Sequence, residues 1–512
     1  MKKLSMDNKK HNLVLTCVLL AVVLVVAIVL GFYFESFRTF QTWFYTELVD
    51  ETQQFSVYSS SIEGTTGDSE IYIMYGTENT VALVRAEDAE TYSEADAIVS
   101  SGAAVTGVAG SDQLEAAQET LEGVDIAEAE TADDAVAALQ DGTADVAILR
   151  YADAEAAAEA DGELVISDAE VEKVPKVLVI GGTHPNEPAG QLAATIFLEN
   201  AQVERGVLYV ITELNKSAYS HSMPQEATTW YYTLTTKSGA TRTFKYGARA
   251  TNTVDQWPSP DVYTHSSGQS LSATESRNIN RSYPGSATGT YTERVAYAVT
   301  QLIVQNDITV VIDLHEAAPE YVTINAMVAH QDAIDLATYA SKWIMADYEA
   351  TTADGEEIDG VKITVEESPT SLHGLTHREL GDYTNAYAFL CETSNASQGK
   401  LRGAFTEDLI TYETTDKFYE YAATLDGLLY ARPVPIRERV ARHVLAVESI
   451  ISAFNSSGMT RDTVSESSTN CLDEDQKQEG VYVGKFVMSG IPEYVDFIDN
   501  GVGYYLADET EE

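Results

Sequence analysis

The chain has only three cysteines in 512 residues, too few for a disulfide framework, so a small cross-linked secreted scaffold is excluded and stability must come from buried apolar surface. Basic residues are also scarce, 31 Lys and Arg against 80 Asp and Glu. Such a surface repels phosphates and anionic lipid heads, which excludes nucleic acid as a partner. Long hydrophobic runs are confined to one place. Residues 13–34 read "LVLTCVLLAVVLVVAIVLGFYF", 22 residues without a charge. As a helix this run spans roughly 33 Å, enough to cross a hydrocarbon core of about 30 Å.

Lys2, Lys3, Lys9 and Lys10 precede the run and Glu35 follows it. The positive-inside rule then places residues 1–12 in the cytoplasm and everything after residue 34 outside the cell, a single-pass arrangement in the cell membrane. A cleaved signal peptide is the less favoured reading, because no A-x-A-like site follows. Removing the four lysines and one aspartate of residues 1–12 leaves 27 basic and 79 acidic residues, a net charge of −52 outside the membrane. A solvated surface that keeps an exported protein soluble accounts for that excess. Only Cys391 and Cys471 remain outside the membrane, and the sequence does not decide whether they pair.

What is present is an apolar content of 44%, that of a globular chain, over a length that calls for more than one domain. Residues 35–69 are polar and rich in Ser, Thr and Gly, as in a stalk. From 70 to 172 strands and helices alternate: "GAAVTGVAG", a helix from Ser111, "VDIAEAE", a helix opened by a Thr131-x-x-Asp134 capping box, "TADVAILR", an Ala-rich helix and "ELVISD". This spacing predicts a small parallel sheet covered by helices. "VTGVAGSDQLEAAQETL" and "ADDAVAALQDGTADVAILR" resemble one lobe of an extracellular solute-binding protein. In that family two lobes close on a ligand; here one lobe's worth of sequence is present, which favours a spacer or docking role.

Residues 173–450 carry the chemistry. "KVLVI" reads as a strand buried on both faces, ended by Gly181 and Gly182, and Pro188 suits the first turn of "PAGQLAATIFLEN". His184 and Glu187 therefore sit at the C-terminal end of a strand. "DITVVIDLHEA" delivers Asp313 and His315 to a second strand end, and "AYAFLCETSN" delivers Glu392 to a third. Ligands of open α/β sheets bind at that edge. Two imidazoles and a carboxylate form a catalytic zinc set with room for water. The same residues also fit a plainer reading, in which Asn186 or Glu187 caps the following helix and His315 ends a strand. Spacing alone leaves both open. Asn280 and Arg281 in "SRNINRSYPGS" can bind a carboxylate or an oxyanion, and Glu392 is a candidate general base.

In this order, "GGTHPNEPAG", "NINRSYPG", "VVIDLHEA" and "FLCETSN" resemble the succinylglutamate desuccinylase/aspartoacylase branch of the zinc carboxypeptidase superfamily. The resemblance implies a mixed, mostly parallel sheet flanked by helices, joined here to a smaller N-terminal α/β lobe and a transmembrane helix. It implies that His184, Glu187 and His315 hold one Zn2+ per chain, that Glu392 activates water, and that Asn280 and Arg281 bind the substrate carboxylate and the oxyanion. The expected function is a membrane-anchored extracellular zinc hydrolase that cleaves an amide beside a carboxylate, in an acyl-amino acid or a peptide. The alternative is a surface binding protein or sensor with an inert hydrolase fold. An aromatic and Thr-rich segment before residue 270 reads as an insertion over the cleft, with Arg249, Arg277, Tyr246 and Tyr263 available as further contacts. His373 and His377 stand at i, i+4, but with no third ligand in sight they read as substrate contacts or supports rather than a second metal site. Residues 451–512 form an acidic extension in which "VYVGKFVMSGIPEYVDFID" suggests short strands.

Overall fold

The computed structural model describes residues 56–58, 69–222, 230–235, 241–319, 321, 324–347, 363–399, 405, 407–411, 435–457 and 484–492. The expected cytoplasmic tail, membrane span and most of the stalk lie outside them, as does Cys471. Among the described residues no helix is long and apolar enough to cross a membrane.

The chain forms β1 (Ser56–Tyr58) and β2 (Ile71–Tyr75), then β3 (Thr80–Arg85), β4 (Val105–Val108), β5 (Ile126–Ala129), β6 (Val146–Arg150) and β7 (Leu164–Ile166). It continues through β8 (Lys176–Ile180), β9 (Gln202–Arg205) and β10 (Val207–Ile211). Two hairpins follow, β11 (Trp230–Thr235) with β12 (Thr241–Tyr246), and β13 (Val262–Thr264) with β14 (Ser270–Ser272). Last come β15 (Val310–Ala317), β16 (Ala326–Ala329), β17 (Thr364–Glu367), β18 (Tyr387–Ser394) and β19 (Val487–Ser489).

Eight strands make one mixed sheet in the order β1-β2-β10-β8-β15-β18-β16-β17. Its centre, β10-β8-β15-β18, is parallel. The strands β2 and β16 that flank this centre run antiparallel to it. The β-branched runs of β8 and β15 suit this place, since a strand between parallel neighbours is covered on both faces. Helices Tyr291–Gln305 and Thr376–Tyr383 cover the face that carries Leu178, Ile180, Val311 and Ala388. Helices Pro188–Asn200 and Ile436–Ser457 meet the opposite face at Glu316, through the amide of Ala189 and the guanidinium of Arg439. Tyr291–Gln305 opens with a full capping box, Thr290 with Glu293.

The smaller sheet has the order β5-β4-β6-β3-β7. Helices start where the sequence places them: Ser111 accepts from the Leu114 amide and Thr131 from the Asp134 amide. The sheet is mixed rather than parallel. Strands β4, β5 and β6 are parallel, but β3 lies antiparallel between β6 and β7. Alternation of strand and helix reports the crossover units β4 to β5, β5 to β6 and β6 to β7; it carries no information on the direction of β3, which precedes them. Separate apolar clusters pack on its two faces, around Val84 and Ile148 on one and Leu83 and Leu149 on the other.

Two features differ from the domain limits expected above. Ile71–Tyr75, expected in the lobe, pairs with β10 in the large sheet, so the lobe emerges between β2 and β8. Helix Ile436–Ser457 runs past residue 450, where the acidic extension was expected to begin. That extension does supply an edge strand, β19 against β9. The turn that leads into the lobe is bound to the start of β10, Asn79 exchanging two hydrogen bonds with Gly206, at 2.7 and 2.9 Å. The lobe is thus attached at the N-terminal ends of the central strands.

Candidate metal centre

The opposite, C-terminal ends of those strands hold the titratable residues. Gly182 leaves β8 at φ +70, a conformation that glycine adopts without a steric penalty. Gly190 lets the next helix lie on β15, since a Cβ there would stand 2.2 Å from the Leu314 carbonyl oxygen. The loop between them is therefore pressed onto the end of β15, and the side chains of His184 and Glu187 meet His315.

Glu187 is the N-cap residue of its helix, yet its side chain makes no capping bond. Instead Oε1 lies 2.8 Å from His184 Nδ1 and Oε2 lies 2.9 Å from His315 Nδ1. Oε2 also accepts the Glu316 amide, at 3.0 Å. The capping alternative is thereby set aside for Glu187. The two rings meet edge to face with centroids 4.7 Å apart, and all three residues are buried.

The outer nitrogens of both rings are already committed. His184 Nε2 lies 2.8 Å from Asn278 Oδ1, and His315 Nε2 lies 2.8 Å from Asp313 Oδ2. Asp313 is held by the hydroxyls of Thr183, at 2.8 Å, and Thr376, at 2.6 Å. With Nε2–H donated outward, a neutral ring turns its Nδ1 lone pair toward Glu187, whereas a protonated ring donates to Glu187 through Nδ1. One ligand atom from each of the three residues lies within 4.8 Å of the others, a group that could hold a metal ion. The donor set, two imidazoles and a carboxylate with carbonyl and carboxylate supports behind the rings, fits zinc once both rings are neutral.

The two rings differ electrostatically. Burial and the Arg249 guanidinium bring His184 down to about 4, so its ring is neutral at pH 7, the form that ligates metal. Burial also depresses His315, but Asp313 and Glu187 outweigh it and raise the imidazolium to about 10. Burial opposes ionisation of Glu187, yet the two imidazoles hold its carboxyl well below the usual range. The pocket thus favours positive charge at its centre.

Glu392 is the register partner of His315 across the parallel β15–β18 pair, so the two side chains share a face of the sheet. Burial pushes its carboxyl up, Glu187 adds to this, and His315, Arg249 and Arg281 oppose it. Arg281 stands at the same edge, with Nε 3.8 Å from Glu275 Oε2. Burial and Arg249 lower its guanidinium, while Glu275, Glu392 and Glu187 act the other way. Asn280 is buried, and its Oδ1 accepts the Thr376 amide at 2.8 Å.

Of the four further candidates, Arg249 reaches the cluster, with Nη1 3.1 Å from Glu187 Oε1 and 3.2 Å from His184 Nδ1. Tyr263 donates to the Arg281 carbonyl, at 3.2 Å. Arg277 donates to the Thr251 carbonyl and Tyr246 meets Ser397. His377 is buried and meets Ser368, and the half-buried His373 meets Glu379. Neither belongs to the group formed by His184, Glu187 and His315.

Sequence reasoning passed over Asn278 and Thr376, and assigned no role to Asp313. The last had a signal, because residues two apart on a strand share a face. The bond from Asn278 to His184 had none, since a 3-10 turn sets its direction.

No protein-family model matches the chain, and no curated protein matches it. Solved structures do. The product-bound cell shape determinant protein Csd4 of Helicobacter pylori is 16% identical, with 55% of this chain and 51% of that chain covered and a TM-score of 0.32. A succinylglutamate desuccinylase/aspartoacylase of Rhodobacter sphaeroides is 21% identical over 31% of this chain and 35% of that one, with a TM-score of 0.19. An amino acid ABC transporter substrate-binding protein of Streptococcus pneumoniae, solved with L-arginine, is 16% identical over 24% and 44%, with a TM-score of 0.17. The chain spans about half the length of the Csd4 structures it matches. Structures of the expected hydrolase branch and of the expected lobe type are both among those similar to this chain.

Proposed function

We propose that the protein is a zinc-dependent hydrolase that cleaves an amide bond next to a carboxylate, anchored in the cell membrane by residues 13–34 with residues 35–512 outside. The observation that carries this reading is the meeting of His184, Glu187 and His315, with one ligand atom of each within 4.8 Å of the others and Glu392 beside them on the same face of the sheet. Zinc bound there supplies a Lewis acid for the amide carbonyl and brings the pKa of water to about 7.

The remaining work belongs to the chain. Arg281 holds the substrate carboxylate and fixes which amide is presented. Arg249, already at the cluster, faces the negative charge that develops on the carbonyl oxygen. Glu392 removes a proton from the attacking water and returns it to the nitrogen as the C–N bond breaks, so water is consumed and an acid and an amine leave. Asp313 and Asn278 fix the rings. Anchoring rests on the charge-free run behind four lysines.

The substrate classes in view are N-acyl amino acids and peptides. A screen of both with zinc-loaded protein tests the reading. Hydrolysis that Glu392→Gln abolishes supports it; hydrolysis that survives this change contradicts the role of Glu392.

A further inference from the structure

One imidazole at the same edge has no part in the scheme above. His373 lies in the loop before helix Thr376–Tyr383, and four contacts fix it. Its Nδ1 lies 2.8 Å from Oε1 of Glu379, a buried carboxylate that also accepts the Gly374 amide at 2.9 Å. Its backbone is clasped by one side chain, that of Gln269, which accepts from the His373 amide at 2.9 Å and donates to the His373 carbonyl at 3.2 Å. The His265 ring lies nearly parallel to it, centroids 6.0 Å apart and planes at 14°. His265 is itself pinned, through Nε2, to the Tyr283 carbonyl at 2.7 Å.

The loop rests on Arg281. A Cβ on Gly374 would stand 2.3 Å from the Arg281 carbonyl oxygen, the oxygen that also takes the Tyr263 hydroxyl. The β13–β14 hairpin, with Tyr263, His265 and Gln269, therefore ties His373 and Arg281 into one rim.

Nε2 is the one polar atom of His373 without a partner among the described residues, and the side chain is 33% exposed. Because Glu379 can only accept, the neutral ring carries its proton on Nδ1 and turns an Nε2 lone pair outward. Holding a half-buried ring by these contacts costs conformational freedom, and the atom left over is an oriented acceptor in the loop that packs on the backbone of Arg281.

We infer that His373 is a specificity-determining residue: its Nε2 accepts a hydrogen bond from a donor on the side chain of the substrate residue whose carboxylate lies on Arg281. The substrate class is thereby narrowed to amino acid residues with a hydrogen-bond donor on the side chain, of which an ammonium is the case probed below. This deepens the hydrolase reading and rests on it for the place of the carboxylate.

Lysine and norleucine differ only in the terminal amine and are the probes. Binding of each, in both enantiomers, is measured calorimetrically to the zinc-loaded full-length chain. The expected result is a preference for lysine of about three- to tenfold, the worth of one hydrogen bond. His373→Phe brings the ratio to about one and leaves norleucine unchanged. His373→Asn, whose amide nitrogen can stand in the place of Nδ1 and keep a donor for Glu379 with no acceptor in the place of Nε2, does the same and guards against misfolding of the first variant. An unchanged ratio in both variants, no preference in the parent protein, or no binding of either probe overturns the inference. Turnover of acyl-amino acids by the same preparation separates the two readings. Turnover without the preference ends this inference alone, and a His373-dependent preference without turnover ends the hydrolase reading alone.

Discussion

His315 and Glu392 are register partners on adjacent parallel strands, and both project from the same face of the sheet at its C-terminal edge. The proposed metal ligand and the proposed proton carrier are thus set side by side by backbone pairing, which is more rigid than a loop. Replacing Glu392 by Gln leaves that pairing intact. Turnover falls by about 10²–10⁴ while the metal content stays that of the parent. Parallel rate and metal measurements check this, and loss of metal in Glu392→Gln would move the residue from proton transfer to ligation.

Asp313 is the support of His315, and it is itself held by Thr183 and Thr376. Asp313→Asn removes the charge that fixes the ring with its proton outward. Zinc affinity, measured by competition with a chromogenic chelator, falls by about 10- to 100-fold. An unchanged affinity would show that the ring is oriented by its other contacts.

Arg439 and Glu316 pair on the other face of β15, both side chains 0% exposed. Arg439→Met leaves a buried carboxylate without its cation and destabilises the protein by about 3–5 kcal/mol in urea unfolding. Adding Glu316→Leu returns most of that loss, because the uncompensated charge is gone. A double variant as unstable as the single would mean that packing of the long side chain, rather than charge, is what Arg439 contributes.

Much of this was legible in the sequence, for identifiable reasons. Period-free apolar runs marked β8, β15 and β18, and the candidate site residues lie at or just past the C-terminal ends of those strands. Ser111 and Thr131 marked helix starts because their hydroxyls do local work. Direction and pairing were not legible: β3 runs opposite to its neighbours, and Ile71–Tyr75 belongs to the large sheet, because both depend on partners far along the chain. The bond from Arg249 to Glu187 was hidden for the same reason, since the insertion's fold decides which of its cations turns inward.

Gly190 connects the two levels. A methyl group there meets the Leu314 carbonyl at 2.2 Å and pushes the helix, with Glu187 at its start, away from β15. Gly190→Ala lowers both thermal stability and zinc affinity. Normal affinity in a folded Gly190→Ala protein would show that the loop holds Glu187 independently of the helix.

The central claim is that His184, Glu187 and His315 bind one metal ion. Elemental mass spectrometry of the purified full-length chain, beside a His184→Ala, His315→Ala double variant, tests it most directly. The account predicts close to one zinc per chain in the parent and none in the variant. A parent chain that holds no metal without chelators, or a variant that keeps it, would contradict the account.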